Sequence, residues 1–329
     1  MASIITSAAD LKRNYLDYLA AHPYRQEPLG LYEPVDYILQ LGGKRVRPLL
    51  SLLGAQLFTD NWEQALPVAQ AVEVFHNFTL LHDDIMDDSP LRRGQATVHE
   101  KWDVNTGILS GDLMLIKAYE SLLDCPRKER IPELMQVFNR IAVGVCEGQQ
   151  YDVDFERRDD VSIEEYLKMI ELKTAVLLGG ALEMGALAAG ANAEAAAHLY
   201  EFGRLTGIAF QLQDDLLDTF GTTEQIGKSV GNDIVRNKKT FLYLKSLEVG
   251  SLEVKTELVD FFSGIPTDST AKVVRVTEIM KALDIPQMVA QLRDEYQEQA
   301  YQHLTASGAP VERRAPIREL TEALLQRQH

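Results

Sequence analysis

Cysteine is nearly missing: Cys125 and Cys146 are the only two in 329 residues, and they form no CxxC pair. That excludes a disulfide framework and leads to the expectation of a reducing, cytoplasmic location. Strand signatures are equally scarce. Alternating Val/Ile/Thr runs bounded by turn pairs do not occur, whereas apolar residues recur at a 3.6-residue period almost end to end. Positive charge is short as well, with 33 Lys and Arg against 49 Asp and Glu and a formal net charge of −16. Such a balance argues against nucleic acid or an anionic membrane as a nonspecific partner. The opening "MASIITSAADLKRN" lacks the apolar core of a signal peptide. Long hydrophobic runs are missing too, apart from "TAVLLGGALEMGALAAGANAEAAA" from Thr174. Its Glu183 and its many Gly and Ala residues suit a buried central helix better than a membrane span. No low-complexity linker divides the chain, so residues 1–329 read as a single all-α domain, a large helical bundle of ten or more helices.

What is present is acidic and repeated. "FTLLHDDIMDDS" and "FQLQDDLLDTF" each contain D-D-x-x-D: Asp83, Asp84, Asp87 and Asp214, Asp215, Asp218. On a helix, positions i, i+1 and i+4 bring carboxylates to one edge. Charges about 4–6 Å apart repel by roughly 1–4 kcal/mol, so such a cluster must hold protons or cations near apolar neighbours. One copy alone reads as a solvated helix end. Two copies on apolar helices point to hard-cation binding, and the two helices could face each other across a bundle. Asp88 and Asp233 fit capping as well as they fit metal ligation.

Basic residues follow the acidic clusters. "LRRG" gives Arg92 and Arg93, and "GKSVGNDIVRNKKT" gives Lys228 and Lys238. "GGKRVRP" supplies Lys44 and Arg47, which share a face if helical, with Gly42 and Gly43 suited to end one helix and Pro48 to begin the next. "ELKTA" places Lys173 and Thr174 ahead of an apolar stretch. Singly these are surface charges; together they suggest two diphosphates, one held through metal and lysines and one held directly by Lys and Arg. Metal would invert the local charge and admit anions to an acidic protein.

The ordered set "GGKRVRP", "EVFHNFTLLHDDIMDDSPLRRG", "LKTA", "GIAFQLQDDLLD" and "GKSVGNDIVRNKKT" resembles the trans-isoprenyl diphosphate synthases of the polyprenyl synthetase family. The resemblance spans residues 42 to 241. It implies an all-α fold with a central active-site cavity, a homodimer, and Mg²⁺-dependent condensation of isopentenyl diphosphate with an allylic diphosphate. On that basis three Mg²⁺ ions, with Mn²⁺ as a substitute, are held by the six aspartates. Arg92, Lys173, Lys228 and Lys238 complete the allylic diphosphate shell, and Thr174 and Gln211 face the carbocation. Lys44, Arg47, His76 and Arg93 hold isopentenyl diphosphate. Family experience makes Phe78 and Thr79 the floor of the product tunnel, with Phe75 as a further wall. An ideal wheel puts Phe78 about 140° from Asp83, so its role comes from the resemblance and not from geometry. A geranylgeranyl product is expected, with farnesyl or longer chains as alternatives. A terpene cyclase would carry an Asn/Ser/Glu metal motif in place of "DDLLD" and has no need of "GGKRVRP". A non-catalytic subunit would tend to lose one cluster. A di-iron bundle would need paired Glu-x-x-His motifs, and only Glu73–His76 fits.

Overall fold

A computed structural model describes residues 5–222, 230–264 and 268–326. The all-α expectation holds. Sixteen α-helices account for most of the described residues, and the only strands among them are Leu91–Arg92 (β1) and Gln95–Ala96 (β2), an antiparallel pair. Backbone contacts divide the chain into two compact units.

The first unit comprises residues 1–139, 180–200 and 306–317. Its core is built on α3 (Val46–Gln56) and α4 (Leu66–Met86). Residues 67–75 of α4 are all buried, which explains why this helix shows no single apolar stripe. Helix α9 (Val176–Ala188) brings its small residues here. A Cβ at Gly185 would lie 1.9 Å from the Ser51 carbonyl oxygen, and one at Gly54 would lie 2.5 Å from that of Leu182. The Gly/Ala content of "GGALEMGALAAG" is therefore a packing requirement, and Glu183 is buried with it. Among the described residues no helix is long and apolar enough to cross a membrane.

The second unit comprises residues 140–179, 201–305 and 318–329. Phe155, Tyr166, Leu212, Phe241, Leu258 and Val276 belong to its apolar core. Helix α8 (Ile163–Ile170) starts at a capping box in which the Ser162 hydroxyl accepts from Glu165 N–H and the Glu165 carboxylate accepts from Ser162 N–H. It runs directly into a π-helical turn, Glu171–Ala175, before α9 begins. Helix α10 (Ala193–Phe220) carries the second acidic motif at its C-terminal end.

Candidate active site

In the first unit, α2 (Leu29–Gln40) ends at Leu41, and Gly42 and Gly43 follow at φ +80° and +120°. Helix α3 starts only at Val46, so Lys44 lies in the connecting loop and does not share a helical face with Arg47 as expected. Arg45 caps α3 in the left-handed region at φ 55°. The glycines make room for an arginine, since a Cβ on Gly43 would sit 2.8 Å from Arg93 Cζ. Arg93 donates to the Gly42 carbonyl oxygen. Arg47 and His76 are brought together, with Nη1 3.0 Å from Nε2. Burial, and then the charges of Arg47, Arg93, Arg92 and Arg45, hold the His76 pKa well below its ordinary value. Its ring is thus neutral and accepts through Nε2. Burial also lowers the Arg47 guanidinium to about 10, with Arg93 adding to the fall and Glu73 opposing it. Buried Glu73 accepts from Arg45 and from Asn77 Nδ2 at 3.0 Å. Arg45 and Glu73 were missed as a supporting pair, although Arg45 stands inside the quoted "GGKRVRP". The arrangement concentrates positive charge around a neutral imidazole, which suits a multiply charged anion.

The first acidic cluster closes α4. Asp83 is half-buried, Asp87 is exposed at the helix C-cap, and Asp84 is buried. Arg92 grips Asp84 with two hydrogen bonds, Nε to Oδ2 at 2.6 Å and Nη2 to Oδ1 at 2.7 Å. Burial still raises the Asp84 pKa, against the pull of Arg92. Arg92, on β1, therefore braces the cluster directly. Further back on α4, Phe75 is buried, with its ring centroid 5.2 Å from Phe138 and 5.7 Å from Phe78. Half-buried Phe78 also meets His82 edge-on at 4.8 Å. The Thr79 hydroxyl donates to the His76 carbonyl oxygen at 2.8 Å.

In the second unit, Asp214 is half-buried while Asp215 and Asp218 are buried. Asp215 accepts from the Tyr166 hydroxyl and from Gln211 Nε2 at 3.2 Å. Burial is the chief reason its pKa is pushed up to about 8; the charges of Asp233 and Asp214 add to the rise, and the bonds from Tyr166 and Gln211 oppose it. Asp218 Oδ2 accepts from Asp233 N–H at 2.9 Å, and its backbone oxygen accepts from Gly231 N–H at 2.6 Å. The Asp218 carboxylate thus caps the short helix Asn232–Val235, and the Asp233 carbonyl accepts from Lys238 N–H at 2.9 Å. Lys228 lies outside the described residues.

Lys173 and Thr174 fall on the π turn, not on a regular α-helix. Such turns put side chains out of the ordinary register and are frequent at functional sites. Two glycines allow it: a Cβ on Gly148 would lie 2.2 Å from Lys173 N, and one on Gly207 2.6 Å from the Ala175 Cα. Lys173 Nζ pairs with Asp152 Oδ2 at 2.5 Å, and the Thr174 hydroxyl lies 3.5 Å from Gln211 Oε1. Asp152 and Tyr166 were not legible as site residues. The run "GQQYD" on α7 (Ile131–Glu156) was the available signal for Asp152, and the spacing of Tyr166 offered none.

Each cluster offers only hard oxygen donors, the set Mg²⁺ prefers. Asp215, whose hydrogen-bond partners here are neutral and whose acidic neighbours repel it, has the charge crowding that a divalent cation would relieve. The residues therefore fit such an ion.

The model of the polyprenyl synthetase family matches residues 29–280. A geranylgeranyl diphosphate synthase of Methanosarcina mazei is 43% identical over 224 residues, 68% of this chain and 69% of that protein. A geranylfarnesyl diphosphate synthase of Natronomonas pharaonis is 41% identical over 242 residues, 68% of this chain and 71% of the other. A crystal structure of a geranylgeranyl pyrophosphate synthase superposes with a TM-score of 0.94 at 45% identity, covering 99% of this chain and all of that one. The fold, both acidic motifs and these matches agree: the chain belongs to the polyprenyl synthetase family and is a trans-prenyltransferase.

Proposed function

We propose that the protein condenses isopentenyl diphosphate with an allylic diphosphate, head to tail, to give geranylgeranyl diphosphate. The observation that carries this reading is the anion site formed by Arg47 and Arg93 around neutral His76. A cyclase, which takes one diphosphate substrate, has no use for it. Arg47, Arg93, His76 and Lys44 hold the isopentenyl diphosphate and present its double bond. Asp83, Asp84, Asp87, Asp214, Asp215 and Asp218 supply ligands for Mg²⁺, and Lys173, Lys228 and Lys238 add positive charge to the allylic diphosphate. Mg²⁺ held by these carboxylates would neutralise the charge that develops on the leaving diphosphate. The allylic C–O bond breaks, the double bond attacks the cation to form the new C–C bond, and the released diphosphate takes the proton. Thr174 and Gln211 turn weakly basic oxygens toward the cation without capturing it.

Residues 1–329 act as one catalytic domain, a reading supported by the family match across 29–280. The working form is a homodimer in the cytoplasm. On α6 (Val104–Leu123), Leu109, Ile116 and Leu123 recur every seventh residue at 59, 56 and 50% exposure, an apolar stripe suited to a second copy. Both cysteines are free, in keeping with a reducing compartment.

Incubation with Mg²⁺, isopentenyl diphosphate and each allylic starter, followed by chromatography of the dephosphorylated products, tests the reaction. No elongation from any starter sinks it. Relatives of 43% and 41% identity are named for different products, so overall similarity does not set chain length. Phe78→Ala should lengthen the products if Phe78, with Thr79 and Phe75, forms the floor. An unchanged product profile removes that assignment.

A further inference from the structure

We propose that Asp88, His99 and Glu100 form a separate divalent-cation site, suited to Zn²⁺ or Co²⁺, that clips the arginine-bearing hairpin to the helix behind it. One ligand atom from each residue lies within 4.8 Å of the other two. An ion at the centre of such a triangle sits about 2.8 Å or less from all three, and a shift of under about 1 Å reaches ligand distances of 2.0–2.2 Å. Asp88 and Glu100 are exposed and free to make that shift.

The imidazole is the independent observation. His99 is only 9% exposed, and neither ring nitrogen has a hydrogen-bond partner among the described residues. The nearest carboxylate oxygen, Glu100 Oε1, is 3.9 Å from Nε2, beyond hydrogen-bond reach. Buried polar atoms are nearly always satisfied, so an imidazole left this way beside two carboxylates is a ligand awaiting an ion.

The backbone holds the site in register. Asp88 takes a left-handed φ of 48°, and Ser89 N–H donates to the Asp84 carbonyl at 2.9 Å. Across the base of the hairpin, Thr97 Oγ1 donates to the Ser89 carbonyl at 2.8 Å and Thr97 N–H to that of Pro90 at 3.1 Å. The turn with Asp88 is thereby set against α5 (Val98–Lys101), which bears His99 and Glu100. Arg92 and Arg93 ride on the hairpin between these anchors. A nitrogen ligand shifts preference from Mg²⁺ toward Zn²⁺ and Co²⁺, which separates this site chemically from the all-oxygen aspartate clusters.

Binding of Co²⁺ to the full-length protein in a large excess of Mg²⁺ tests the proposal, read by visible absorption and by metal retained after gel filtration. One equivalent is expected in the wild type, weakened by about tenfold or more in His99→Gln and less in Asp88→Asn and Glu100→Gln. Asp214→Ala should keep its equivalent. No retained Co²⁺ in the wild type, or unchanged affinity in His99→Gln, overturns the site. If His99→Gln does not fold, undiminished binding in both carboxamide variants overturns it instead.

Discussion

The two D-D-x-x-D motifs are alike in sequence and unlike in setting. In the first, the middle carboxylate, Asp84, meets a guanidinium in a two-bond fork, and the third, Asp87, is exposed at the helix end. In the second, the middle carboxylate, Asp215, meets neutral donors among the described residues, Tyr166 and Gln211. Its third member, Asp218, is buried and tied to the following loop through Asp233 N–H. At the middle position Asp84 has a charged partner, whereas burial pushes Asp215 toward a proton or a cation. One motif therefore carries two electrostatic designs.

The largest expected effect ignores that difference. Asp83→Ala and Asp214→Ala should each lower turnover by about 10²–10³-fold or more, since each removes a donor that stabilises developing charge. Retained turnover in either would take that cluster out of the reaction.

Stability should separate the two designs. Asp84→Asn leaves the Arg92 guanidinium without its counter-charge and should cost about 1–3 kcal/mol in metal-free urea unfolding. Asp215→Asn keeps amide and hydroxyl partners for a group already pushed toward neutrality, and should stay within about 0.5 kcal/mol. Equal losses would show that the contrast between the clusters has no energetic content. Tyr166→Phe should then cost about 1 kcal/mol, the worth of one buried hydrogen bond to Asp215.

What was legible in the sequence followed periodicity and spacing. The helices, the buried Gly/Ala segment and the two acidic motifs all advertise themselves within a few turns of chain. What was not legible depends on partners far apart. Lys173 meets Asp152 across 21 residues, and Arg92 reaches Asp84 only because the chain reverses at left-handed Asp88 beyond the helix end. Arg45 was passed over because a cation near a glycine pair looks like surface until Glu73, 28 residues on, neutralises it. The π turn at Glu171–Ala175 has no sequence signature; it depends on the room left at Gly148 and Gly207.

The smallest effect probes the arginine-rich side of the comparison. Burial, and after it the charges of Arg47, Arg93, Arg92 and Arg45, depress the His76 pKa beside the first cluster. A depressed folded pKa means that, as pH falls through about 6.5, the unfolded chain takes up a proton that the folded protein refuses. Stability is therefore full above that value and declines as pH drops toward the folded pKa. Between pH 7.5 and 6 the loss from this one group should be roughly 0.8 kcal/mol. His76→Gln, which can still accept from Arg47, should flatten the pH dependence of urea unfolding by that amount. An unchanged slope would mean that His76 titrates normally in the folded protein.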